Sequence, residues 1–365
     1  MIRLEHVTKG YGETLAVNEL SFEIAKGEVC VLIGPSGCGK TTILRMINRL
    51  TEPTTGRILI DGRDTASIDE EKLRLSIGYA IQSVGLFPHL TVSDNIAVVP
   101  QLLHWEKNRT ARRVEELLEL VGLKPAECSV KYPSQLSGGE AQRIGVARAL
   151  AADPPIMLMD EPFGAVDPLT RERLQAQFIQ IQQEVRKTIV LVTHDLDEAI
   201  CLADRIAIME AGTLVQYDTP EVILSKPRNK FVRDFVGADR ALKRLSRLGI
   251  KDFIKPAAAV NLNRTAKEAV ASAGGHRWLW VVEDNQQLVG WVDRNALTES
   301  ISIKEAMDEG DAGEIALSEG ATLREALSRM LGLGFKHIPV VDDSHRLIGE
   351  VSLKEIETAT TEEEG

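Results

Sequence analysis

The stretch VCVLIGPSGCGKTTILRMINRL, residues 29–50, decides the fold. Its first five residues form an apolar run of strand length, and residues 43–50 carry a helical pattern. Between them, GPSGCGKTT at 34–42 sets glycines, lysine and threonine in the spacing G-x-x-x-x-G-K-[ST]. Gly34, Gly37 and Gly39 let the backbone turn its N–H groups inward on a phosphate, and the following helix adds the positive end of its dipole. Lys40 then bridges the outer phosphates of a nucleoside triphosphate and the Thr41 hydroxyl ligates Mg²⁺, with Pro35, Ser36, Cys38 and Thr42 completing the cradle. Cys38 reads first as a small loop residue, the alternative being a reactive thiol at a helix N-terminus beside Lys40, a place that favours thiolate.

Downstream, the apolar run at 156–159 reads as a strand buried on both faces. It delivers Asp160 and Glu161 to its C-terminal end, the edge at which open α/β sheets bind ligands. Asp160 is placed to serve Mg²⁺ through water, and Glu161 to polarise an attacking water at the γ-phosphate. The segment LSGGE at 136–140 opens another helix. There Ser137 and Glu140 have the spacing of a capping box, in which glutamate serves as well as glutamine.

These segments, in this order, resemble the ATP-binding cassette (ABC) ATPases, a P-loop NTPase fold of α/β class. LSGGEAQRIGVARAL at 136–150 is the specific part of the resemblance. From Gly34 to Leu136 is 102 residues, room for the helical subdomain that this family inserts, placed here at about 86–150. The resemblance implies ATP as substrate, with Tyr11 stacking on adenine. It implies that Gln82, in YAIQSVGLFPHLTV, links Mg²⁺ and water to a transport partner. His194, in LVTHDLDEA, is then the switch histidine at the γ-phosphate, and Asp167 the residue that communicates across a dimer. It further implies that Ser137, Gly138, Gly139 and Glu140 serve the ATP of a second copy, so that two chains clamp two nucleotides. The family has glutamine where Glu140 stands.

Composition excludes other classes. The chain has 365 residues, a net charge of −11 and no apolar run long enough to span a bilayer, so membrane association has to come through partners. The negative balance opposes nucleic-acid binding. Arg3, Glu5 and Lys9 stand where a signal peptide needs an apolar core, which predicts no export. Cys30, Cys38, Cys128 and Cys201 lack metal spacing and read as reduced thiols.

Residues 1–236 are therefore expected to form the ATPase. A linker helix follows at 237–250. In it Arg240, Lys243, Arg244 and Arg247 lie on one face and Leu242, Leu245 and Leu248 on another. It is either a solvated linker whose leucines rest on the next domain or a contact for anionic lipid. Beyond it, WLWVVEDNQQLVGWVDRNAL from Trp278 repeats as HIPVVDDSHRLIGEVSLKEI from His337 at a fixed offset of 59 residues. Each copy reads as strand, turn, strand, helix. Together, over 251–361, they resemble paired cystathionine-β-synthase (CBS) domains, α+β regulatory modules that often bind adenine nucleotides. Trp278, Trp280 and Trp291 suggest either an aromatic cage for a quaternary ammonium ion or core packing on alternating strand positions. Residues 362–365 form an acidic tail.

An ABC ATPase followed by tandem CBS domains resembles the energising subunits of glycine betaine, choline and carnitine importers. The resemblance implies a peripheral protein on the cytoplasmic face of the plasma membrane. Its implied partners are a permease and, indirectly, an external solute-binding protein; anionic lipid or a nucleotide at the repeats would supply regulation. An importer of another solute such as an amino acid, and an ABC ATPase acting on nucleic acid, are the competing readings.

Overall fold

The computed structural model describes residues 1–81, 85–164, 167–272, 276–298, 302–307 and 312–361. The chain divides into two compact units, residues 1–237 and 238–365.

The strands of the first unit are β1 (Ile2–Tyr11), β2 (Thr14–Ile24), β3 (Val29–Ile33), β4 (Thr55–Ile60), β5 (Arg63–Asp64), β6 (Ile77–Ala80), β7 (Ile156–Asp160), β8 (Thr188–Val192), β9 (Arg205–Glu210) and β10 (Thr213–Asp218). They form two sheets, one ordered β2-β1-β4-β5 and the other β10-β9-β3-β8-β7-β6. The first is antiparallel, whereas in the second only β10 runs against its neighbour.

The expected two-faced burial is seen in β3, β7 and β8, all of whose residues are buried. Val31, Ile33, Met157, Met159, Ile189 and Leu191 enter one core, shared with the helices that follow β6. Cys30, Leu32, Ile156, Leu158, Val190 and Val192 enter the other, against the antiparallel sheet. Each such side chain contributes about 1.5–3 kcal/mol on burial, so neither face tolerates a charge. Because β8 lies between β3 and β7 with all three parallel, the segments leaving their C-terminal ends are neighbours. That topology positions the site.

The helix after β3 spans Lys40–Ile47 rather than 43–50. It starts earlier because Gly39, at φ 99°, ends the loop and Lys40 is already helical, which puts the loop at the helix N-terminus. The helical insertion comprises Val92–Leu102, Lys107–Leu120, Pro125–Cys128 and Gly138–Leu150. Its entrance is fixed by Asn95, fully buried, which donates to the carbonyls of Phe87, Leu90 and Thr91 and accepts from the Phe87 N–H.

In the second unit, β11 (Ala259–Asn261), β12 (Trp278–Val282) and β13 (Leu288–Asp293) form one sheet. A second sheet comprises β14 (Leu317–Ser318), β15 (His337–Val341) and β16 (Leu347–Ser352). Adding 59 to the ends of β12 and β13 gives those of β15 and β16, and the register irregularity between Val281 and Val282 recurs between Val340 and Val341. The copies meet at their turns: Leu288 N–H donates to His345 O and Leu347 N–H to Gln286 O. Trp280 and Leu288 of the first repeat share a core with Ile338 and Val340 of the second.

One expectation is corrected here, and one alternative is decided. The linker helix is Arg240–Leu245, not 237–250. Leu245 and Leu248 join the core of the second unit, while Leu242 stays exposed and the Lys243 side chain is only 15% exposed beside Asp239. Packing of the leucines onto the repeats sets this arrangement, not segregation of charge to one open face. The tryptophans form no open cage: Trp278, Trp280 and Trp291 all lie tilted or edge-on to Phe335, with centroids 5.3, 6.0 and 5.8 Å away. That is the packing alternative.

Candidate functional site

The loop after β3 is shaped by three glycines with positive φ: Gly34 at 153°, Gly37 at 81° and Gly39 at 99°. A Cβ on Gly34 would stand 2.2 Å from Met209 O, and one on Gly39 2.2 Å from Ala16 O. The backbone is pressed against its neighbours at both points and leaves room only on its open side, where a Cβ on Gly37 would meet nothing. Lys40 is 8% exposed and donates to the carbonyls of Gly34 and Pro35 at 2.7 and 3.0 Å. Cys38 lies behind the loop, 3% exposed and 3.6 Å from Lys40 Nζ. Its sulfur is shut away from solvent, so Cys38 is a packed loop residue.

Ser36, Gly37, Gly39, Lys40, Thr41, Thr42, Glu161 and His194 line one cavity of about 530 Å³. Glu161 follows β7 at φ 48°, a left-handed conformation that costs a non-glycine residue about 1–3 kcal/mol. The turn lets its N–H donate to Val192 O at 2.9 Å, tying the exit of β7 to that of β8. It also turns the carboxylate to the cavity, where Oε1 lies 3.1 Å from His194 Nδ1. Asp160 stands at the end of β7, 7% exposed, with Oδ1 3.2 Å from Thr41 Oγ1. Burial raises the Asp160 carboxyl above its usual range; the Thr41 hydrogen bond pulls it down and Glu161 pushes it up. A hydroxyl and a buried carboxylate side by side are oxygen donors suited to Mg²⁺, which would restore the ionised form.

The other expected residues lie elsewhere. Gly34, Pro35 and Cys38 belong to the loop without lining the cavity, and Tyr11 ends β1, half exposed, with Lys9 Nζ 5.1 Å over its ring. Ser137 caps the helix Gly138–Leu150: its Oγ accepts from Glu140 N–H at 3.2 Å and its N–H donates to Glu140 Oε2 at 2.8 Å, the capping box read from the sequence. The Ser137 hydrogen bonds, with Lys131 3.6 Å away, hold the Glu140 carboxyl below its usual range. Neither Ser137, Gly138, Gly139 nor Glu140 lines this chain's own cavity. Asp167 caps the helix Pro168–Val185 by accepting from Thr170 N–H. Gln82 falls outside the described residues.

Sequence reasoning missed Ala16 and Val192, which line the cavity from β2 and β8. It also missed Glu198. Asp195 caps the helix Leu196–Leu202, and the Asp-x-x-Glu spacing from Asp195 to Glu198 was the available signal. Glu198 is 4% exposed, accepts from the Thr193 hydroxyl at 2.9 Å, and has Oε1 without a hydrogen-bond partner. Burial pushes its carboxyl up to about 7; the Thr193 hydrogen bond works against this and Asp195 adds to it. It therefore underpins the His194 segment as an acid that titrates near neutrality.

Residues 17–164 match the family model for ABC transporters and residues 310–360 that for the CBS domain. A carnitine transport ATP-binding protein of Listeria monocytogenes is 46% identical over 367 residues, 96% of this chain and 90% of its own. A glycine betaine/carnitine/choline transport ATP-binding protein of Bacillus subtilis is 46% identical, and an osmoprotectant import ATP-binding protein of Salmonella typhimurium 44%; each match covers 96% of this chain and 94% of the relative. Among solved structures, the dimeric post-hydrolysis state of an ATP-binding cassette bound to ADP and Pi gives a TM-score of 0.55 at 34% identity, over 60% of this chain and 98% of its own. Strand order, phosphate loop, signature helix and these likenesses agree: the chain belongs to the ATP-binding proteins of the ABC transporter family, among these osmoprotectant transport relatives.

Proposed function

We propose that the chain hydrolyses ATP to drive uptake of a quaternary-amine osmoprotectant of the glycine betaine, choline or carnitine type through a membrane permease. One observation carries the catalytic half of this reading: β3, β7 and β8 bring the loop, Glu161 and His194 to a single cavity. Lys40 and the loop N–H groups would neutralise the outer phosphates, and Glu161 would take the proton of the attacking water. His194, held by Glu161 at 3.1 Å, would contact the γ-phosphate. Thr41 and Asp160 would hold Mg²⁺, with Gln82, and that ion would screen the charge of the phosphates. Tyr11 would pack on adenine.

A second copy would complete the site. Ser137, Gly138 and Gly139 begin a helix whose positive end does not line its own chain's cavity, and a twofold pair would let each signature cap the other chain's nucleotide. Asp167 would carry the contact between the halves. The dimeric state of the related cassette supports this arrangement.

The permease would seat in a groove of about 660 Å³ between the helix Glu70–Leu75, β6 and the helix Val92–Leu102, with Tyr79, Phe87, Val99 and Leu102 on its walls. In this reading the chain sits peripherally on the cytoplasmic face, beside the permease; no helix among the described residues is long and apolar enough to cross a membrane. An external binding protein would select the solute, and the CBS unit would regulate. The names of the relatives support the solute class.

The test is co-expression with its permease. The permease should co-purify, and vesicles should take up labelled betaine, carnitine or choline on ATP addition. Uptake of amino acids alone would transfer the chain to another importer class, and failure to retain a permease would remove the transport reading.

A further inference from the structure

The second unit holds a cluster of two histidines and a carboxylate. Glu350, on β16, has a side chain only 6% exposed, a costly place for a carboxylate unless its oxygens are met. Oε2 accepts from Trp280 Nε1 at 2.7 Å. Oε1 faces His337 Nδ1 at 3.0 Å and His276 Nδ1 at 3.8 Å, and the two imidazole rings lie edge to face with centroids 5.1 Å apart. The three ligand-type atoms all fall within 4.8 Å of one another. His276 comes just before β12, whereas His337 opens β15, so the cluster joins the first repeat to the second.

We propose that His276, His337 and Glu350 bind one transition-metal ion of the zinc class between the repeats. Two imidazoles and a carboxylate are a zinc donor set that leaves the fourth position to water, and imidazole disfavours Mg²⁺ and Ca²⁺. Tetrahedral bonds of about 2.0–2.1 Å put neighbouring ligand atoms about 3.3 Å apart. The separations of 3.0 and 3.8 Å to Glu350 lie on either side of that distance. Trp280 supplies the outer hydrogen bond that orients a ligating carboxylate. An ion can enter from solvent, since both histidines line a cavity of about 590 Å³ with Arg277, Trp278, Phe335 and Lys336. Of the two cations there, Arg277 is paired with Asp293 at 3.0 Å, and Lys336 is the charge the carboxylate has to offset.

The proposal stands independently of the ATPase reading. Its test uses the full-length chain, stripped of metal by a chelator and kept free of nucleotide. Zn²⁺ is titrated against a chromogenic competitor, and Co²⁺ is followed by visible absorption. We expect one equivalent per chain, with affinity falling at least tenfold in His276→Ala and in Glu350→Gln. The intense band of tetrahedral Co²⁺ should vanish in His276→Ala. His276 is partly exposed, so its replacement leaves the core packed, which circular dichroism checks. Absence of a stoichiometric Zn²⁺, or binding equal in wild type and both variants, overturns the proposal and leaves a metal-free hydrogen-bonded network locking the repeats together.

Discussion

Glu198→Gln removes one titration through which the ATPase unit should respond to pH. The folded chain holds the Glu198 proton up to about pH 7, against an ordinary value of 4.5. Between those values the folded state binds more protons than the unfolded state, so stability falls as pH rises: the contribution is complete below 4.5 and gone above 7. At about 1.4 kcal/mol per pH unit, the wild-type chain should lose roughly 2–3 kcal/mol through this residue between pH 5 and pH 8. Glutamine carries no charge and keeps an oxygen for the Thr193 hydroxyl. It also places an amide N–H₂ where Oε1 has no partner, a cost that does not depend on pH. Comparing the pH difference of stability, rather than stability itself, cancels that cost. Urea unfolding of both chains at pH 5 and pH 8, followed by circular dichroism, should show a smaller pH difference in the variant by about 2–3 kcal/mol. Equal pH dependence in the two chains would refute the reasoning, because burial would then not be holding the proton.

Glu161→Gln should bind ATP normally yet lose roughly 10²- to 10⁴-fold in turnover, the range for a general base; near-normal steady-state hydrolysis would remove Glu161 from that role. Glu140→Gln keeps the bond to Ser137 N–H and should change ATPase activity less than about tenfold, whereas a larger gain would mark the carboxylate as a brake on the partner's nucleotide. Gly39→Ala forces a Cβ to 2.2 Å from Ala16 O at φ 99°. It should cost at least about 2 kcal/mol in urea unfolding and abolish ATP binding; a stable variant that still binds nucleotide would show that the loop can relax there.

What the sequence made legible was whatever depends on neighbours along the chain. Val29–Ile33 is the strand that its apolar run announced, and the Ser137–Glu140 box closes as its spacing required. The hairpins β12–β13 and β15–β16 match in register at the 59-residue offset, bulge included, whereas the strands that lead into them pair differently: Ser318 faces Val341, where the offset would set it against Pro339. What stayed hidden depends on distant packing. Ala16 and Val192 enter the cavity only because β2 and β8 flank the loop, and no local pattern marks them. Glu198 sits in a stretch with two other acids, and its burial follows from how the helix Leu196–Leu202 lies against β3. The linker leucines were correctly paired with a hydrophobic surface for Leu245 and Leu248, yet helical periodicity could not foresee that the helix ends after two turns.

Asn95 bears on how force passes through the first unit. One buried amide ties residues 87–91 to the helix Val92–Leu102: its oxygen accepts from the Phe87 N–H, and its two N–H hydrogens are shared among the carbonyls of Phe87, Leu90 and Thr91. Breaking these bonds at once in a dry setting is far costlier than moving the whole piece. The helix and the segment ahead of it are therefore held as one piece at the wall of the groove that Phe87 lines.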